Sequence, residues 1–151
     1  MAGPGLVTYR FIDEIVSLQT GDPATIAVRK TFAPGDDVLS GPLGPDRVPN
    51  SMLLELLAMT GGHLLFTRLD RRRLPLLLKV RECRFEGIAR PGVRLEARAS
   101  LHGVGTAAAG GTLAETSGEV LADGARMAAA QLLFLCVDVP ALAASMLGAR
   151  S

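Results

Sequence analysis

Between Asn50 and Gly62 a single side chain can ionise, Glu55, set among Ser51-Met52-Leu53-Leu54 on one side and Leu56-Leu57-Ala58-Met59-Thr60-Gly61 on the other. A helix that is apolar on every side belongs in a protein interior, where an unpaired carboxylate costs several kcal/mol. Such a residue needs either a chemical role as proton donor or acceptor, or a structural partner among backbone amides and arginines. The two histidines offer little help. His63 lies eight residues past Glu55, about 12 Å along a helix axis, too far for both to act on adjacent substrate carbons unless a partner subunit contributes. His102 sits beside Gly103 at a predicted strand end, and both imidazoles read as structural.

Other candidate chemistry is thinner. Cys83 and Cys136 fall inside apparent strands, without the close pairing of metal ligands or a disulfide framework, and read as buried free thiols. Gly103-Val104-Gly105-Thr106-Ala107-Ala108 loosely matches a dinucleotide fingerprint. Gly110-Gly111 would break the helix that motif needs, so a flexible hairpin connection is expected instead. No metal-ligand spacing, nucleophile elbow or phosphate loop is present in the sequence, so neither metal nor cofactor is expected.

A basic run, Arg68, Arg71, Arg72 and Arg73, follows the apolar segment, with Lys79, Arg81, Arg84 and Arg90 further on. It is either a docking patch for an acidic partner or a solvated helix end that complements the dipole. Overall charge gives no such direction: 16 Lys and Arg against 15 Asp and Glu leave +1, no field that would draw the chain to nucleic acid or membrane. With 151 residues and 48% hydrophobic content the chain suits one domain spanning 1–151. The N-terminus lacks a secretory signal and the apolar stretch 132–146 is cut by Asp138 and Pro140, so a soluble, cytoplasmic protein is expected.

These residues need a scaffold. Tyr9 to Leu18 and Thr25 to Phe32 predict a strand hairpin around Gly21-Asp22-Pro23. Residues 33–50 hold four prolines (34, 42, 45, 49) and three glycines (35, 41, 44), which predicts a stiff loop without regular structure. Asn50 or Ser51 then caps a helix running to Phe66 or Arg68. Leu78 to Phe85 predicts a strand joined through Arg90-Pro91-Gly92 to an alternating, half-buried strand from Val93 to Leu101. Thr112 to Leu121 and Met127 to Val137 pair across Asp123-Gly124, and the doubly apolar run 132–137 places the last strand centrally. Pro140 to Leu147 predicts a short terminal helix. One apolar helix and six mostly antiparallel strands give an α+β class: a strongly curved sheet wrapped around the helix, the hotdog fold.

Gly41-Pro42-Leu43-Gly44-Pro45-Asp46-Arg47-Val48-Pro49-Asn50 with Leu53-Leu54-Glu55-Leu56-Leu57-Ala58-Met59 resembles the active-site loop and central helix of the 3-hydroxyacyl-[acyl-carrier-protein] dehydratases. Tyr9 to Glu14 is similar to that family's opening strand, and Arg84-Phe85 with Arg90 to Leu95 to its Phe and Pro-Gly hairpin. The resemblance implies an acyl thioester polarised by amides near Asn50 and Ser51. It also implies Glu55 as the acidic catalyst, while Leu43, Met52, Leu53 and Met59 read either as the lining for an apolar acyl chain or as ordinary core of a hotdog domain. It further implies an acidic acyl carrier protein docked at Arg68, Arg71, Arg72 and Arg73, and a homodimer in which two sheets join edge to edge. One departure matters most: the family's catalytic His falls on Pro42, which has no acid or base function, and its helix Gln falls on Met59.

Three readings of an acyl-thioester site therefore stand side by side. The first is a dehydratase-like enzyme of fatty-acid or polyketide type metabolism that has replaced its base. The second is a noncatalytic acyl-binding or scaffolding subunit paired with a catalytic paralogue. The third is a thioesterase in which Glu55 activates water.

Overall fold

The computed structural model describes residues 11–39, 44–108 and 110–138. Pro42, Leu43, the opening Tyr9-Arg10 and the predicted terminal helix 140–147 lie outside the described residues. Strands β1 (Glu14–Gln19) and β2 (Thr25–Thr31) precede helix α1 (Asn50–Arg68). Four strands follow: β3 (Arg73–Phe85), β4 (Arg94–Thr106), β5 (Thr112–Ala122) and β6 (Ala125–Asp138). The sheet is antiparallel throughout, in the order β1-β2-β4-β5-β6-β3. The helix lies against its inner face.

Alternation does most of this work. Ile26 and Val28 of β2, Leu95, Ala97 and Ala99 of β4, and Ala128, Leu132 and Phe134 of β6 face inward and are buried. Arg98 and Glu119 face out into a lattice of ion pairs such as Arg98–Glu96 at 2.7 Å. Two glycines set how closely the helix sits. A Cβ on Gly118 would lie 2.8 Å from the Arg98 carbonyl oxygen and 3.1 Å from Leu57 Cδ2. One on Gly61 would lie 3.1 Å from Thr116 Oγ1. Asp123 and Gly124, both at positive φ (50° and 80°), form the two-residue turn expected between β5 and β6.

Several expectations need correction. The strand before Arg90-Pro91-Gly92 does not pair with the one after it: β3 pairs with β6, and β4 sits between β2 and β5. The hairpin with β5 and β6 occupies one side of β4 and β2 the other, so β3 is displaced to the far edge. That strand starts at Arg73 rather than Leu78 and includes Pro75, which an edge strand tolerates. Strand β4 continues through Gly103 and Gly105 to Thr106, past a register shift at Leu101/Gly103. The proline-rich loop contains one short 3₁₀ turn, Asp37–Leu39. Pro49, not Asn50 or Ser51, is the N-cap: its carbonyl accepts from Met52 and Leu53, and no side chain caps the helix. Among the described residues, no helix is long and apolar enough to cross a membrane.

Candidate functional site

Helix α1 is apolar all round in sequence but is not enclosed all round. Leu53, Leu56, Leu57, Leu64 and Leu65 are buried, whereas Ser51, Glu55 and Met59, spaced one turn apart, are exposed. Glu55 is therefore not the buried carboxylate the sequence leads one to expect. The six strands curve about the helix without closing over it, and the uncovered stripe carries Glu55. A groove of about 580 Å³ runs along this stripe. Its helical wall is Glu55, Ala58, Met59, Gly62, His63 and Phe66, its opposite wall Leu74, Pro75, Leu76 and Leu77 of β3, and its floor includes Phe134. Ile12, just ahead of β1, also lines it.

Glu55 and His63 are the ionisable groups of this lining. Among the described residues, neither has a hydrogen-bond or ion-pair partner. Of the predicted acyl-contacting residues, Met59 joins Glu55 in the groove, while Met52 is partly buried against the core. Asn50 and Ser51 form the first turn of α1, where amides have no intrahelical acceptor. Leu43 lies outside the described residues.

The helix ends in a left-handed pair, Asp70 and Arg71, each at φ 59°, with the Arg71 amide donating to the Phe66 carbonyl. This turn leaves Arg68, Arg71 and Arg72 exposed, and among the described residues they form no ion pair. Arg73 differs: it lies in β3 and donates to Thr112 Oγ1. The arginine corner adjoins the groove at Phe66 and Leu74. Sequence reading missed Ile12, Ala58, Gly62, Phe66, Leu74–Leu77 and Phe134 as groove residues. The run Leu74-Pro75-Leu76-Leu77-Leu78 carried the available signal, since an apolar strand containing proline reads as an edge.

Away from the groove, His102 hydrogen-bonds Ser117 on the outer face of the sheet. A second hollow of about 350 Å³ on that face is rimmed by Arg84, Arg98 and Arg126, each paired with a glutamate. The Arg126 hydrogen bond holds the Glu86 carboxyl below its ordinary range. Cys136 is buried and Cys83 is half-buried rather than enclosed; burial pushes both thiols up, offset in part at Cys136 by Arg73. Among the described residues, no group of three or more His, Cys, Asp or Glu could hold a metal ion.

No protein-family model matches the chain, and no curated protein matches it in sequence. Solved structures do match its shape. A hot-dog-like protein from Thermanaerovibrio acidaminovorans superimposes with a TM-score of 0.68 at 12% identity, covering 85% of this chain and 92% of the other. A Streptococcus mutans protein crystallised with acetyl CoA gives 0.66 at 12% identity, over 89% and 95%. A hypothetical thioesterase from Streptococcus pneumoniae, crystallised with coenzyme A, gives 0.65 at 10% identity, over 83% and 88%. At these identities the likeness is one of fold. One helix against a curved six-stranded antiparallel sheet, matched to such neighbours over most of both chains, makes this a hotdog-fold protein.

Proposed function

We propose that this chain binds an acyl thioester in the groove along α1, with Glu55 as the group that acts on it. The observation that carries the reading is an unpaired carboxylate on the open face of the central helix, beside an apolar groove of about 580 Å³. Structural neighbours holding coenzyme A or acetyl CoA support the ligand class. The groove supplies an apolar bed for the acyl chain, and the first-turn amides near Asn50 and Ser51 supply dipoles for a thioester carbonyl. Arg68, Arg71 and Arg72, unpaired beside one end of the groove, suit the acidic surface of an acyl carrier protein or the phosphates of coenzyme A.

Two chemistries use this arrangement differently. Hydrolysis needs Glu55 alone, as the general base for a water attacking the thioester carbonyl, with thiolate as leaving group. Dehydration of a 3-hydroxyacyl thioester needs a second group to take the α-proton while Glu55 protonates the departing hydroxyl. His63 stands two turns away, so that base comes from another chain. The open groove and the edge of β3, which has no partner strand among the described residues, favour such a completing chain, either a second copy or a His-bearing subunit of the same fold.

The test presents purified protein with 3-hydroxyacyl, trans-2-enoyl and saturated acyl thioesters, following dehydration, hydration and free thiol. Thiol release from all three assigns hydrolysis, and interconversion of the first two assigns dehydratase chemistry. Binding without turnover, with activity restored by a co-purifying His-bearing subunit, assigns the scaffolding role. Glu55→Gln lowers any turnover by about 10²- to 10⁴-fold with the fold intact, because the side chain is exposed and unpaired. Unchanged turnover in that variant removes Glu55 from the chemistry.

A further inference from the structure

We infer that His63 selects acyl chains bearing a hydrogen-bonding group far from the thioester over plain alkyl chains. This rests on the thioester reading above and specifies its substrate class. The groove is otherwise apolar over its whole length between Glu55 and His63 and beyond, along Met59, Phe66 and the β3 leucines. Before a ligand binds, solvent water reaches both side chains, since Glu55 is exposed and His63 is half-buried without an intramolecular partner among the described residues. An acyl chain laid along the groove displaces that water. An imidazole then facing methylenes keeps neither its donor nor its acceptor satisfied, which weakens binding by roughly five- to a hundredfold. A hydroxyl, keto or amide group at the same place restores the hydrogen bond.

Met59 stands between the two residues on the same stripe, so a ligand joining them passes along its thioether side chain. Ala58 and Gly62 lie between them on the groove wall, and at Gly62 a Cβ would stand 3.6 Å from Pro75 Cγ and 3.9 Å from Phe134 Cε1. Those are ordinary contact distances, so helix and β3 approach closely at Gly62 and a ligand chain runs over this point rather than between them. Eight residues of helix separate Glu55 from His63 by about 12 Å. At about 1.3 Å of advance per methylene this is about nine carbons. With the first or third carbon opposite Glu55, the selected group falls near carbon ten to twelve.

Thioether analogues of plain and ω-hydroxy acyl-CoA, of about 8 to 14 carbons, are titrated calorimetrically into the full-length protein and its His63→Leu and His63→Gln variants. The wild type is expected to favour the ω-hydroxy ligand by about five- to tenfold, most strongly at ten to twelve carbons. His63→Leu reverses the preference, and His63→Gln retains part of it. Equal affinity for plain and hydroxylated chains at every length overturns the inference while leaving the thioester reading in place. A preference that survives His63→Leu does the same. Failure of every analogue to bind overturns the inference together with the coenzyme A form of the thioester reading.

Discussion

Strand β3 offers the sharpest quantitative test of how the groove is completed. It is 13 residues long, pairs on one side with β6, and among the described residues has no partner on its other side. Leu74, Leu76, Leu77, Leu78 and Val80 are 36–56% exposed. Burying a whole side chain of this kind yields about 1.5–3 kcal/mol, so covering these fractions completely yields at most about 3–6 kcal/mol per chain and about 6–12 kcal/mol for a symmetric pair, less whatever part of Leu74, Leu76 and Leu77 stays open to the groove. Added edge hydrogen bonds bring the total into the range that offsets an association cost of about 4–15 kcal/mol. Leu78, the most exposed of the five at 56%, is the side chain to replace. Leu78→Lys forfeits about 2–3 kcal/mol per symmetric pair, weakening dimerisation roughly 30- to 160-fold, and costs little in folding because the side chain is not in the core. Sedimentation equilibrium over a concentration series reads the dissociation constant directly, with thermal unfolding of the monomer as the control. A wild type that stays monomeric at tens of micromolar, or a Leu78→Lys variant with an unaltered constant, would refute the claim that this edge builds the assembly.

Two other expectations follow from packing and burial. Gly118→Ala places a methyl group against the Arg98 carbonyl at 2.8 Å and Leu57 at 3.1 Å, so it destabilises the fold by about 1–3 kcal/mol in denaturant unfolding. A neutral outcome would mean that helix and sheet separate without cost. Both thiols are pushed up by burial, yet Cys83 is half-buried on the edge strand and Cys136 is buried. A thiol reagent at mildly alkaline pH therefore modifies Cys83 first, and its rate falls as protein concentration rises if β3 pairs with a second copy; modification of Cys136 ahead of Cys83 contradicts this burial order.

The sequence by itself determined the element order, because its periods are strong: alternation through Val93 to Leu101, Asp123-Gly124 between two apolar runs, and one long stretch too apolar and too regular to be a loop. It also singled out Glu55, since one charge in thirteen residues is legible without coordinates. What it could not determine was where that charge points. Local pattern says that a helix is apolar, but whether each face is covered depends on how far a curved sheet reaches around it. That reach is set by long-range pairing: β3 joining β6 instead of β4, and Gly118 and Gly61 fixing how closely the helix sits. The tertiary structure thus decided that Glu55 faces an open groove rather than a sealed core, and that His63, dismissed in the sequence, faces the same groove two turns away. The physical reason is that a face is left open only by contacts between residues distant in the chain, which no window of sequence contains.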